Sequence, residues 1–294
     1  MTNTIGIAGA GNMGTAIARR LRDAGSQVVL LTPRSGTSRH HDGFEMISDA
    51  RALAGRCDVV LSCLRTGAET ASLMPALLEG AAGKAGFIHI DHGNGVPDVA
   101  QHCAAKWIEQ DQLFVDAPLL GPPEHLATGK ATLLVGARDD GLTRVTEISE
   151  PYCDNVVLAG AIGQGHMLRQ LLNFMGYGLV ALSASTIAAA TAAGITPQIL
   201  RDAAYGKGLD SGTFQTLLAN AIDTALPHRP LSVSYIRGEY EKMRQAFPES
   251  EGAERLMATL SDFYAMADAG QGDQVMATAL PDRLKALGAG TPAA

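Results

Sequence analysis

Apolar and polar positions along the chain follow two regimes. Through residue 159, short apolar runs alternate with segments of helical periodicity. Residues 4–8, 27–32, 59–63, 86–91 and 113–116 read as strands, and 131–136 and 155–159 add two more. Between them, Ala16, Ile17, Ala18, Leu21 and Ala24 recur at helical spacing, and helices are expected near 69–78, 97–110 and 142–149. Strands alternating with helices predict a parallel sheet covered on both faces. Beyond Ile195 no strand pattern survives, and helices are expected at 197–204, 213–222, 232–247, 250–269 and 274–287. Thr196-Pro197 has the capping hydroxyl and first-turn proline of a helix start.

The two regimes meet in a long central segment. It opens as Gly163-Gln-Gly165-His166 and runs from Leu171 to Ile195 without a charged side chain. His166, Arg169, Asn173 and Tyr177 fall at i, i+3, i+7 and i+11, so on a helix they share one stripe, and all four are candidate catalytic residues. The run is long enough to span a bilayer. It is rich in Ala, Ser, Thr and Gly, however, which contribute little transfer energy, and a helix buried inside a protein is the preferred reading.

The first strand is followed at once by Gly9-Ala-Gly11-Asn12-Met13-Gly14 and then a helix. Strand, glycines and helix together are the signature of a dinucleotide site, where a tight turn brings free N–H groups to a pyrophosphate. The expected fold is therefore an α/β Rossmann-type parallel-sheet domain, residues 1–161. A helical substrate and dimerisation domain, 162–294, follows and begins with the long helix. After the second strand the chain reads Thr32-Pro-Arg34-Ser35, with no carboxylate until Asp42. Arg34 and Ser35 suit a ribose 2′-phosphate, so NADPH is the expected cofactor. Ligand loops in such sheets follow the carboxyl ends of the strands. That places Leu64 and Arg65 after the strand at 59–63, and Asn94 after the strand at 86–91, among the cofactor candidates.

Charge and composition narrow the partners. At 294 residues two domains are expected. A net charge of -7 argues against nucleic acid and anionic membrane. The four cysteines lack framework spacing and the first residues lack a basic or apolar leader, which points to a reducing cytoplasm. No metal-ligand spacing is visible among the histidines.

These segments carry a resemblance to the β-hydroxyacid dehydrogenase family, which includes 3-hydroxyisobutyrate dehydrogenases and 6-phosphogluconate dehydrogenase-like proteins, with imine reductases as a related branch. It rests on Gly9 to Gly14, on Asp116-Ala-Pro118 with Gly121, Gly129 and Thr132, and on G-x-G-x-x-x-Arg-x-x-x-Asn from Gly163 to Asn173. The resemblance implies substrate contacts at Leu119, Leu120 and Gly121. Tyr235 is a further candidate for substrate contact, with a core position as the alternative.

Two departures bear on chemistry. Arg169 stands where most of the family carries a catalytic lysine, and a guanidinium does not readily give up a proton. The proton would then come from His166, Tyr177, His125 or water. The family's Ser-Gly-Gly stretch is replaced by Leu120-Gly121-Pro122, which removes a hydroxyl and an N–H donor and suggests a larger or more apolar substrate. The family's C-terminal Lys-Asp pair aligns with Gly238-Glu239, leaving Arg237 or Lys242 as stand-ins. The expectation is a homodimeric NADPH-dependent reductase, reversible as a dehydrogenase, acting on a small carbonyl or alcohol. An imine reductase and a non-catalytic NADPH-binding module are the alternatives.

Overall fold

The computed structural model describes residues 4–32, 43–227, 231–247 and 250–288. The chain forms two compact units, Met1–Arg169 and Gln170–Ala294.

The first unit is built on strands β1 (Thr4–Ala8), β2 (Gln27–Leu31), β3 (Glu45–Ile47), β4 (Val59–Ser62), β5 (Ile88–Asp91), β6 (Leu113–Asp116), β7 (Leu119–Leu120), β8 (Ala131–Gly136) and β9 (Cys153–Gly160). Their order is β3-β2-β1-β4-β5-β6-β8-β7, with β9 on β8. The run from β3 to β6 is parallel, as expected. At the far edge β8 runs antiparallel to both β6 and β7, so the sheet is mixed rather than wholly parallel. The two-residue β7 and the three-residue β3 are too short to leave a periodic signal in the sequence.

Side chains alternate across the sheet and fill two separate cores. Ile5, Ile7, Val59, Leu61, Ile88, Ile90 and Val115 face Ile17 and Leu21 of α1 (Asn12–Asp23), Leu126 of α5 (Pro123–Ala127) and Val145 of α6 (Asp139–Ser149). On the other face Val29, Val60 and Phe114 meet Leu53, Leu77 and Trp107 of helices α2 (Ala50–Arg56), α3 (Gly67–Ala81) and α4 (Pro97–Ile108).

Helix α7 (Gln164–Ala192) runs through the division between the units. The compact units part at Arg169, inside this helix, rather than ahead of it. The reason is packing of its first turns on the sheet: a Cβ added to Gly165 would lie 2.6 Å from the Leu134 carbonyl oxygen and 2.8 Å from the Asp116 carboxylate.

The second unit contains the rest of α7 and helices α8 (Pro197–Ala204), α9 (Gly212–Ile222), α10 (Val233–Ala246), α11 (Glu251–Asp268) and α12 (Leu280–Gly288), with no strand among its described residues. Thr196, Ser211 and Ser232 cap α8, α9 and α10 by accepting from backbone N–H groups. The single helix expected at 274–287 is instead two 3-10 turns followed by α12. Tyr177, Val180, Ala184, Ile187, Ile236, Tyr240 and Tyr264 form the core.

Candidate active site

Register across the parallel strands sets the site. Ala8 pairs with Ser62, Ser62 with Asp91, and Asp91 with Asp116, so four strands end in one row and their loops emerge together.

In the first loop each glycine has its own cause. Gly9 has φ +113, and a Cβ there would lie 2.4 Å from the Cys63 carbonyl oxygen. A Cβ on Gly14 would fall 2.0 Å from the Gly9 carbonyl oxygen. Gly11 meets nothing within 4 Å, so its missing side chain leaves open space beside the start of α1. Gly11 is also the N-cap of α1 and has no side-chain cap, and the helix's first turn carries no acidic residue. Exposed N–H groups facing open space fit a dinucleotide pyrophosphate. Asn12 is exposed and Met13 half-buried on the same turn. Arg34 and Ser35 lie outside the described residues.

In the next loop Leu64 is half-buried and accepts through its carbonyl from the Asn94 N–H at 3.3 Å. Arg65 is exposed and forms an ion pair with Glu69 at 3.3 Å. Asn94 is half-buried on the turn after β5.

Beneath these loops lies a buried polar chain that the apolar reading of the strands missed. Trp107 Nε1 donates to His89 Nδ1 at 3.1 Å, which leaves the His89 proton on Nε2 to donate to Ser62 Oγ at 2.9 Å. Ser62 in turn donates to Asp91 Oδ1 at 2.9 Å, an oxygen that also accepts from the Gly93 N–H. Asp91 Oδ2 stands 3.4 Å from His166 Nε2. Burial would raise the Asp91 pKa, but the His166 contact, His89 and the Gly93 N–H together bring it down to about 2. The sequence signal was available: Ser62, His89, Asp91 and Asp116 are polar residues within apolar strands.

Asp116 holds the start of α7. Its Oδ1 accepts from the Gly163 N–H at 2.7 Å and its Oδ2 from the His166 N–H at 2.9 Å. One turn on, Arg169 donates to the Leu119 carbonyl. The Leu119 side chain is buried in the core, so its part in the site is its backbone oxygen; Leu120 is half-buried and Gly121 exposed.

Two proposed proton donors are corrected by burial. His166 is 1% exposed and enclosed by Asp91 and Gly95, which seals it from a substrate. Tyr177 belongs to the aromatic core of the second unit, 6.3 Å from Tyr240. In that unit Asn173 donates to Glu239 at 3.3 Å, and Lys242 meets the same buried carboxylate at 2.7 Å. Arg237 is instead paired with Asp268. Tyr235 is exposed near the start of α10 rather than in the core. Among the described residues no group of three His, Cys, Asp or Glu side chains is placed to hold a metal.

Residues 4–160 match the family model for the NAD binding domain of 6-phosphogluconate dehydrogenase. The chain belongs to the β-hydroxyacid dehydrogenase family. A Pseudomonas aeruginosa 3-hydroxyisobutyrate dehydrogenase is 26% identical over 281 residues, 90% of this chain and 93% of that protein. The Mycobacterium tuberculosis 3-hydroxyisobutyrate dehydrogenase solved with L-serine superimposes with a TM-score of 0.83 at 22% identity, over 97% of this chain and 100% of that one. An imine reductase from Myxococcus stipitatus shares the fold at a TM-score of 0.64 and 15% identity, over 97% and 100% of the two chains. As a β-hydroxyacid dehydrogenase family member the chain is an NAD(P)-binding oxidoreductase.

The buried histidines make stability depend on pH. Burial pushes His89 and His92 down to about 4, whereas an unfolded chain protonates them near 6.5. Between these values the unfolded state binds more protons, so stability falls as pH drops from about 6.5 to about 4. Urea titrations across this range are expected to show that loss, with a shallower slope in His92→Gln. An unchanged slope in the variant contradicts the assignment of His92.

Proposed function

We propose that this protein is an NADPH-dependent reductase, reversible as a dehydrogenase, that moves hydride between nicotinamide and a small carbonyl or alcohol substrate. The observation that carries the reading is the open space at Gly11 beside an uncapped helix start, in a chain of this family. Gly9, Gly11, Asn12, Met13 and Gly14 would hold the pyrophosphate, with Leu64, Arg65 and Asn94 along the neighbouring loops. Arg34 and Ser35, with no carboxylate between the second strand and Asp42, favour the 2′-phosphate of NADPH. When bound, the dinucleotide supplies the hydride.

Arg169 would orient the substrate oxygen and stabilise charge developing on it, since its guanidinium remains charged throughout. Its bond to Leu119 ties that charge to the loop carrying Leu120 and Gly121. With His166 and Tyr177 buried, His125 or water supplies the proton. His125 is exposed and lies against Gly121. Leu120 and Pro122, in place of hydroxyl and N–H donors, favour an apolar carbonyl substrate over a small carboxylate-bearing one.

Nicotinamide oxidation, followed with NADPH and NADH across semialdehydes, ketoacids, apolar aldehydes and cyclic imines, tests the reading. Turnover of apolar carbonyls with NADPH is expected, and Arg34→Ala should lower the NADPH preference at least about tenfold. Turnover of imines alone would move the protein to the imine reductase branch. Dinucleotide binding without turnover would leave the non-catalytic module.

The proposal extends to a homodimer, in the cytoplasm, assembled through the helical unit. Helix α7 is long and apolar enough to cross a membrane by length and composition, but Tyr177, Val180, Ala184 and Ile187 are buried within its own unit. Leu171, Met175 and Leu182 are exposed on the same helix. Met175 and Leu182 border an apolar groove of about 510 Å³, with Phe174, Leu256, Leu260 and Phe263. A second copy covering this surface would remove it from water. Light scattering should give twice the chain mass, and a stable monomer contradicts the dimer.

A further inference from the structure

The side chain of His166 is a buried polar group on the first turns of α7 that the proposed chemistry leaves without a task. It is 1% exposed, and neither ring nitrogen makes an aligned hydrogen bond, although Nε2 stands 3.4 Å from Asp91 Oδ2. The ring also lies directly on the backbone of Gly95: a Cβ there would fall 2.7 Å from Nε2, 3.0 Å from Cδ2 and 3.1 Å from Cε1. Gly95 has no positive φ to explain it, so the ring is what requires a glycine at this position. His166 thus touches both ends of the turn from Asp91 to Gly95.

That turn is held from three directions. The Gly93 N–H bonds back to Asp91 Oδ1 at 2.9 Å, and the Asn94 N–H donates to the Leu64 carbonyl at 3.3 Å. A Cβ on Gly67, at the start of α3, would lie 3.3 Å from the Gly95 Cα. The third side is the ring of His166, a residue whose backbone N–H donates to Asp116 Oδ2 at 2.9 Å. The ring therefore links the turn bearing Asn94 to the helix bearing Arg169, one turn further on.

We infer that His166 is a positioning residue: wedged between Asp91 and Gly95, it fixes the Asn94 turn in the shape that receives the dinucleotide. It does this from beneath the turn, through contact with Asp91 and Gly95, without touching cofactor or substrate. The inference rests on the dinucleotide reading of this turn. It gives the dinucleotide loop and the arginine-bearing helix a common support, so a loss of the ring should act on cofactor binding before it acts on chemistry.

The test compares His166→Ala, His166→Gln, Gly95→Ala and the double variant Gly95→Ala/His166→Ala. Two quantities are read: amide hydrogen exchange over residues 91–95 in the unliganded protein, and the NADPH Kd from fluorescence titration. Removing a buried polar partner of this kind predicts about a tenfold weaker Kd for His166→Ala, with faster exchange at Gly93 and Asn94. His166→Gln, which keeps a donor near Asp91, should recover most of the loss. Gly95→Ala should reproduce the defect by displacing the ring, and the double variant should be no worse than His166→Ala, since both changes act through one contact. Wild-type exchange and Kd in His166→Ala would overturn the inference, as would equal impairment of the Gln and Ala variants or additive effects in the double variant. Exchange is measured without cofactor, so it reads the His166 contact even if the reductase reading fails on turnover.

Discussion

One carboxylate fixes the arrangement on which the rest of the site depends. Asp116 ends β6, in the row formed by Ala8, Ser62 and Asp91, and it accepts the N–H groups of Gly163 and His166 at the start of α7. A helix start presents unpaired N–H groups and a positive dipole end, so an acceptor there is favourable, and each bond to a charged group contributes roughly 2 kcal/mol. Burial raises the Asp116 pKa, against the lowering effect of His166 and the two N–H donors. Gly136 and Gly165 make room for the carboxylate: a Cβ at either would come within 2.8 Å of one of its oxygens. The carboxyl end of β6, the helix start and the two glycines are one packing solution.

From that anchor the chemistry divides between elements. The carboxyl ends of β1, β4 and β5 carry the loops suited to a dinucleotide, while the first turns of α7 carry Arg169 toward the Leu119 carbonyl. Arginine in place of lysine separates two tasks that a lysine can combine. In the proposed reaction charge stays with Arg169, and the proton comes from a group that can release one. The buried network of Trp107, His89, Ser62, Asp91 and His166 lies beneath these loops.

Much of this was legible in the sequence because its signals are local. The strand, glycine turn and helix at 4–24 are set by neighbours in the chain, as is the capping residue Thr196. The antiparallel edge at β7 and β8 was not legible, since two residues of strand carry no periodicity and pair only by tertiary contact. The stripe of His166, Arg169, Asn173 and Tyr177 was read correctly as helical spacing, yet spacing does not say what covers each residue. His166 is closed over by Asp91 and Gly95, and Tyr177 by the tyrosines of the second unit. Likewise the resemblance implies a substrate contact at Leu119 without saying by which atoms; its side chain lies in the core and its carbonyl accepts from Arg169. Such partners lie far away in the chain, and only folding brings them together.

The most direct test of the anchor is amide hydrogen exchange in Asp116→Asn. An asparagine keeps the size of the side chain but can offer only one acceptor oxygen, so one N–H at the helix start loses its partner. The account predicts at least about tenfold faster exchange at Gly163 or His166, while amides of β1 and β4 keep their wild-type rates. Wild-type exchange at both helix-start amides would contradict it.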